Sequence, residues 1–231
     1  MSSSLLRNIG PRPDALRARD SYRELAAGYD ASCTRIESLR ALAVRMLALS
    51  PGETVLDIAC GTGAALPLLG DAVGPSGRVI GVELSPEMAA LARQRVAAMP
   101  AGAVVTVIQR EVESFETDRP ADAVLLCYAH DVLQSPQALQ RLVAAAKPGA
   151  RIVTLGMKTL PWLWGWPVNA FNLYRARRYL TTYTNLDCPW RRLTEQGASL
   201  RQAPTALWGS AYIAVGRMPL IANPPVTPGT E

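Results

Sequence analysis

From Thr54 onward the chain alternates short β-branched runs with helical stretches, and few architectures accept that alternation. The runs are Thr54-Val-Leu-Asp-Ile-Ala59, Arg78-Val-Ile-Gly-Val82, Ala103-Val-Val-Thr-Val-Ile108, Ala123-Val-Leu-Leu-Cys127 and Arg151-Ile-Val-Thr-Leu155. Short, nearly continuous apolar runs are what strands buried on both faces require. Between them, Ser85 to Met99 has a serine N-cap, Pro86 in its first turn and Pro100 as its stop, and Pro136 to Lys147 ends at Pro148-Gly149. Strands alternating with helices predict an α/β fold with a doubly wound, mostly parallel sheet. Upstream, apolar positions at helical spacing between residues 14 and 49, broken near Gly28, predict two helices before the sheet.

After Leu155 the pattern dissolves. Eight of the fourteen aromatic residues fall between Trp162 and Trp190: Trp162, Trp164, Trp166, Phe171, Tyr174, Tyr179, Tyr183 and Trp190. Regular structure is expected to return at Ala211-Tyr-Ile-Ala-Val-Gly216 as a final strand, and the stretch from Met218 to Glu231, with four prolines, is expected to be disordered.

Composition narrows the function classes. The 231 residues are 49% hydrophobic and 19% charged, enough for a full core. The formal charge of +5 is uneven: residues 1–150 carry 15 basic against 16 acidic side chains, residues 151–231 carry 9 against 3. Without lysine-rich runs or an RNA-binding motif, this excess reads as a solvated basic face, and no nucleic-acid partner is expected. Cys33, Cys60, Cys127 and Cys188 stand far apart and His130 is the only histidine, so no metal site is expected. No stretch approaches the roughly 20 apolar residues that span a bilayer, and no signal peptide precedes the first helix, so a cytoplasmic protein is expected.

The segment Val55-Leu-Asp-Ile-Ala-Cys-Gly-Thr-Gly-Ala64 sets a strand, a glycine-rich turn and a helix start in succession. Gly61 and Gly63 remove side chains where backbone must approach a ligand. Glu83 ends the second strand, 20 residues beyond Gly63, where a carboxylate accepts both hydroxyls of a ribose. Asp57 lies on the strand before the turn, suited to a cationic amine rather than a pyrophosphate. Leu66 stands where a dinucleotide-binding turn needs a small residue, which disfavours NAD.

In combination, Asp57-Ile-Ala-Cys-Gly-Thr-Gly63, Val82-Glu-Leu-Ser-Pro-Glu-Met88, Ala121-Asp-Ala-Val-Leu125 and Lys147-Pro-Gly-Ala-Arg-Ile-Val153 resemble the successive motifs of class I S-adenosylmethionine (SAM)-dependent methyltransferases. The chain is similar to the subgroup that includes ubiquinone and menaquinone biosynthesis methyltransferases, over residues 20 to 155. The resemblance implies a Rossmann-like fold with a seven-stranded, mostly parallel sheet and an aromatic-rich cap. It implies that Asp57, Ala59, Gly61 and Gly63 flank the methionine part of SAM, Glu83 holds the ribose, Leu84 and Met88 lie against the adenine, Glu111 and Val112 meet the adenine amine, and Cys127 lies near the methionine carboxylate and sulfur. Tyr22 and Tyr29 fall in the helix that closes over the cofactor in that subgroup.

The expected organisation is then N-terminal helices and a cofactor lid (1–50), a SAM-binding core (51–156), an aromatic and arginine-rich cap (157–197), the last strands (198–217) and a disordered tail (218–231). Tyr29, Tyr128, His130 and Tyr174 are the candidate catalytic residues. His130 sits one position before the register where the family carries a histidine pair, which leaves a general-base role and a structural hydrogen bond both open. The cap suits an apolar acceptor, an aromatic surround for a sulfonium, or simply a small core with an oligomer or membrane-surface contact. Arg175, Arg177, Arg178, Arg191 and Arg192 there suit an anionic acceptor or a solvated face. Two enzyme readings remain, besides a module that binds SAM without turnover. Methyl transfer to a small-molecule acceptor leaves S-adenosylhomocysteine. Cyclisation with SAM as sole substrate, its amine attacking its own γ-carbon, leaves methylthioadenosine and azetidine-2-carboxylate. Acceptor identity and oligomeric state are not readable from the sequence.

Overall fold

The computed structural model describes residues 9–30, 36–203 and 209–220. Seven strands, β1 (Thr54–Ile58), β2 (Arg78–Glu83), β3 (Val104–Gln109), β4 (Ala121–Cys127), β5 (Ala146–Met157), β6 (Ser199–Gln202) and β7 (Ala211–Arg217), form one sheet in the order β3-β2-β1-β4-β5-β7-β6. β1 to β5 pair in parallel, while β7 runs antiparallel to both β5 and β6. Burial follows position: every residue of central β1 is buried, whereas β3, at an edge, alternates exposed and half-buried positions until near its end. Successive side chains on a strand point to opposite faces. Accordingly Leu56, Ile58, Val124 and Leu126 enter one core with Leu139 and Leu142, while Val55, Val79, Leu125 and Val153 enter another with Leu47 and Leu69.

The helices are α1 (Ala15–Leu25), α2 (Glu37–Met46), α3 (Leu66–Val73), α4 (Pro86–Ala97), α5 (His130–Gln134), α6 (Pro136–Ala145), α7 (Trp162–Ala176) and α8 (Arg191–Glu195). Ser85 caps α4 as the sequence predicts, its Oγ accepting the Met88 N–H at 3.3 Å, and Ser135 does the same for α6, its Oγ accepting the Ala138 N–H at 3.2 Å. The sheet order reverses at β1, with β2 on one side and β4 on the other. A crevice opens at the C-terminal ends of such strands.

Three expectations need correction. The helix from Pro136 stops at Ala145, because Ala146 already pairs with Ala121 and the Lys147 ammonium reaches Asp122 at 2.5 Å. Between Gly156 and Trp190, where no regular structure is expected, α7 runs for 15 residues, and α8 follows directly after Trp190. The tail expected to be disordered begins ordered: Met218 is buried and its N–H donates to the Ala150 carbonyl at 2.8 Å, and the Pro219 carbonyl accepts the Gly149 N–H at 3.0 Å. Residues 221–231 of that tail, and Cys33, lie outside the described residues.

Candidate active site

A cavity of about 620 Å³ occupies the crevice at the ends of β1, β2 and β4. Its floor is built from two left-handed backbone positions without glycine, Ala59 (φ 55°) after β1 and Tyr128 (φ 58°) after β4. Each such residue costs about 1–3 kcal/mol and persists only where the surroundings impose it. Here the Tyr128 N–H donates to the Leu155 carbonyl at 2.7 Å, and the neighbouring Cys60 N–H to the Val82 carbonyl at 3.1 Å. Both turns are thereby tied to adjacent strands and bend sharply across the cavity floor.

Glu83 ends β2 almost fully buried. Its Oε2 accepts the Gly61 N–H at 2.9 Å and its Oε1 the Ser85 N–H at 2.8 Å. Burial raises its pKa, and these backbone donors hold it down in part. The carboxylate is therefore fixed in orientation, with its remaining lone pairs at the cavity wall.

Asp57 lies in a smaller recess of about 30 Å³ that shares Tyr29, Ala59, Gly61, Cys127 and Tyr128 with the main cavity and adds Arg40. It is 1% exposed, and its Oδ2 has no hydrogen-bond partner among the described residues. Burial pushes its pKa up to about 7; Arg40 opposes the shift and Glu83 adds to it. A buried carboxylate oxygen without a hydrogen-bond partner is costly, and a cationic group placed beside it would offset part of that cost.

The N-terminal segment is fastened by polar contacts. On α1, Arg23 Nε donates to Glu87 on α4 at 3.0 Å. Beyond the helix, Asp30 accepts from Arg95 at 2.5 Å and from the Thr62 hydroxyl at 2.5 Å. Tyr22, Tyr29 and Tyr179 form a triangle with ring centroids 6.0, 6.1 and 6.4 Å apart, all on the cavity wall.

Of the residues singled out from sequence, Tyr22, Tyr29, Ala59, Gly61, Glu83, Leu84, Met88, Glu111, Val112, Cys127, Tyr128 and His130 line the main cavity, and Asp57 lines the recess. Gly63 lines neither. A Cβ there would lie 2.8 Å from Leu66 and 3.0 Å from Ala92, at φ +74°, so this glycine serves the packing of the turn against α4 rather than a ligand. Gly61 (φ +58°) has nothing nearer than Tyr29 at 4.0 Å and leaves the wall open. Tyr174 is the clearest correction. It is 63% exposed, stacks under the Arg177 guanidinium at 3.5 Å and takes no part in the cavity, because α7 turns its aromatic side chains outward.

Sequence reasoning missed Tyr179, which takes the aromatic place expected of the cap, and the pocket role of Gln134 and Gln137. Of the five arginines in the aromatic segment, Arg192 alone lines the cavity. No local signal separates Tyr179 from Tyr174; the path of the chain does. His130 starts α5 and is buried. Neither of its ring nitrogens makes a hydrogen bond of good geometry among the described residues. Burial pulls its pKa down to about 4, offset only in part by the Thr184 backbone. Burial thus favours the neutral imidazole, and both ring nitrogens are themselves buried.

An oriented carboxylate, a buried carboxylate and three tyrosines thus gather at the switch point of a parallel sheet, and known proteins share this arrangement's fold. Residues 55–149 match the methyltransferase domain family. The chain is 32% identical over 144 residues to a demethylmenaquinone methyltransferase of Symbiobacterium thermophilum, covering 59% of this chain and 57% of that protein. It is 31% identical over 151 residues to a ubiquinone/menaquinone biosynthesis C-methyltransferase of Geobacter sulfurreducens, covering 62% and 59%. The chain thus spans less than two thirds of the length of these relatives. Among solved structures, an O-methyltransferase family protein from Burkholderia thailandensis superposes with a TM-score of 0.69 at 16% identity, over 93% of this chain and 66% of that one. A SAM-dependent methyltransferase from Aquifex aeolicus gives 0.58 at 20%, over 80% and 93%. Residues 55–149 are thus similar to a methyltransferase domain, and the solved structures share the fold of the whole sheet.

Proposed function

We propose that the chain transfers a methyl group from SAM to a small, ring-bearing acceptor of quinone or phenol type. The observation that carries this reading is the unpartnered Oδ2 of buried Asp57, one recess away from the ribose-type carboxylate of Glu83. That pair fits a ligand with an amino-acid ammonium at one end and a nucleoside at the other. On this reading Asp57 faces the ammonium, Glu83 the ribose, and Leu84, Met88, Glu111 and Val112 the adenine, with Tyr22, Tyr29 and Tyr179 closing over the ligand. When bound, SAM supplies an electrophilic methyl on a sulfonium.

The remaining steps belong to the protein. Alignment and exclusion of water are the main requirements of an in-line displacement. The strained turns at Ala59 and Tyr128 fix the floor, and the lid contacts of Arg23 and Asp30 close the top. His130, held neutral by burial, contributes to the wall against which the acceptor sits. Tyr29 and Tyr128 position the reacting atoms. The quinone class follows from the two relatives, a demethylmenaquinone methyltransferase and a ubiquinone/menaquinone biosynthesis C-methyltransferase, and the cytoplasmic setting expected from sequence belongs to the same proposal. Nothing in these comparisons supports cyclisation of SAM, so that alternative is not carried forward.

The test is incubation of purified protein with SAM and a panel of hydroquinones and phenols, read by mass spectrometry. Release of S-adenosylhomocysteine with one methylated acceptor is the expected result. Methylthioadenosine formed from SAM alone would defeat the proposal.

A further inference from the structure

Helix α7 wears its amphipathicity reversed. The face turned to the protein is mostly small and polar: Gly165, Asn169 and Ala176 are buried, and Leu173 packs half-buried beside Ala176 against Leu180 and Leu186. A Cβ on Gly165 would meet that of Leu160 at 2.4 Å. The Asn169 side-chain amide pairs with both the N–H and the carbonyl of Leu160, at 2.8 and 2.9 Å. The outward face carries Trp162, Leu163, Trp164, Trp166, Phe171 and Tyr174, each between 55 and 94% exposed. A helix that folds onto a globular core turns its apolar stripe inward, so folding does not account for this row. Contiguous exposed apolar surface marks a contact surface.

The charge beside it says what it contacts. From Met157 to Arg178 the chain has Lys158, Arg175, Arg177 and Arg178 and no acidic residue. Arg177 lies over the Tyr174 ring at 3.5 Å and Arg175 over the Phe171 ring at 5.7 Å, so cations and aromatic rings interleave. Tryptophan and tyrosine settle at the headgroup level of a bilayer, leucine and phenylalanine reach the acyl chains, and arginine pairs with anionic lipid phosphates. A second copy docking on this face about a two-fold axis would bring the same uncompensated cations together. No helix among the described residues is long and apolar enough to cross a membrane, so contact is with the surface.

We propose that α7 docks the protein flat on a bilayer containing anionic phospholipids. From α7 the chain passes directly to Tyr179 and Leu180 in the cavity wall, so docking sets that wall beside the lipid. The proposal concerns a surface outside the cavity and stands apart from the methyl-transfer reading.

The experiment is co-sedimentation of the full chain with vesicles of phosphatidylcholine alone and of phosphatidylcholine containing phosphatidylglycerol, together with tryptophan emission and analytical ultracentrifugation without lipid. Binding about tenfold tighter to the phosphatidylglycerol vesicles, weakened by salt and accompanied by a blue shift, is expected. Leu163→Ser/Trp166→Ser/Phe171→Ser should lose at least about tenfold of that binding while keeping its melting temperature and its affinity for SAM. Arg175→Gln/Arg178→Gln should remove the preference for the anionic vesicles, and it carries the test alone if the triple variant does not fold. Absence of vesicle binding by the wild type, equal binding to both vesicle types, or undiminished binding by the variants overturns the proposal. So does a dimer that the triple variant splits while no vesicle binding is seen; α7 is then an interface between copies.

Discussion

The recess under β1 and the surface of α7 break the ordinary rules of burial in opposite directions. At Asp57 a carboxylate is buried with an oxygen unpartnered among the described residues, whereas on α7 a row of aromatic side chains stands in solvent. Neither arrangement serves the stability of the isolated chain. Each becomes favourable only when something outside the chain is supplied: a cation in the first case, an apolar and anionic surface in the second. Departures from local consistency of this kind concentrate at sites of function.

The largest effect that sharpens this contrast belongs to Glu83, whose carboxylate both faces the cavity and holds the Gly61 and Ser85 amides. Glu83→Ala is expected to weaken SAM binding by at least about 100-fold in calorimetric titration, since a buried charged partner and the geometry of the glycine turn are lost together. The same substitution leaves vesicle binding through α7 unchanged. Loss of both would show that the two regions are not separate.

Next comes pH. With the pKa of Asp57 raised to about 7, the free protein holds a neutral carboxyl below that point, while binding of an ammonium needs the ionised form. SAM affinity should be roughly tenfold weaker at pH 6 than at pH 8. Stability moves the other way at this residue: the cost of the buried charge is present above pH 7 and is relieved as pH falls from 7 toward 3.8. His130 acts in the opposite sense. Its folded pKa is lowered from 6.5 to about 4, so its contribution is present above pH 6.5 and lost as pH falls toward 4. A SAM affinity that is flat from pH 8 to 6 would rule out Asp57 as the ammonium partner.

The two glycines of the turn separate packing from binding. Gly63→Ala, which brings a Cβ against Leu66 and Ala92 at a positive φ, should lower stability by about 1–3 kcal/mol in denaturant unfolding. Gly61→Ala meets no atom inside 4.0 Å, so it should lose less stability and more SAM affinity. The smallest effect contrasts the two tyrosines: Tyr179→Leu should weaken SAM binding by a few-fold, in line with about 0.5–2 kcal/mol for a ring beside a cation, and Tyr174→Leu should leave it unchanged.

The same contrast explains what the amino-acid sequence disclosed. The strands were legible because buried parallel strands need continuous β-branched runs, and Ser85 announces a helix start through its cap. Glu83 and Asp57 were legible because the carboxylates stand at fixed places relative to Gly61. Helix α7 was not, because a helical pattern is read on the premise that its apolar face points inward, and Pro167 in its interior argues against a helix. The left-handed turns at Ala59 and Tyr128 were hidden as well: neither residue is one that favours that conformation, and the surrounding strands impose it. The ordered start of the tail at Met218 depends on the Ala150 carbonyl, which meets it only when β5 and β7 pair.

Titration of SAM into the wild type and Asp57→Asn at pH 8, with the melting temperature of each free protein, tests the central claim most directly. The account predicts that the isosteric substitution, which removes a buried charge, keeps or raises the melting temperature and lowers SAM affinity by about 30-fold or more. Unchanged affinity in the folded variant would contradict it.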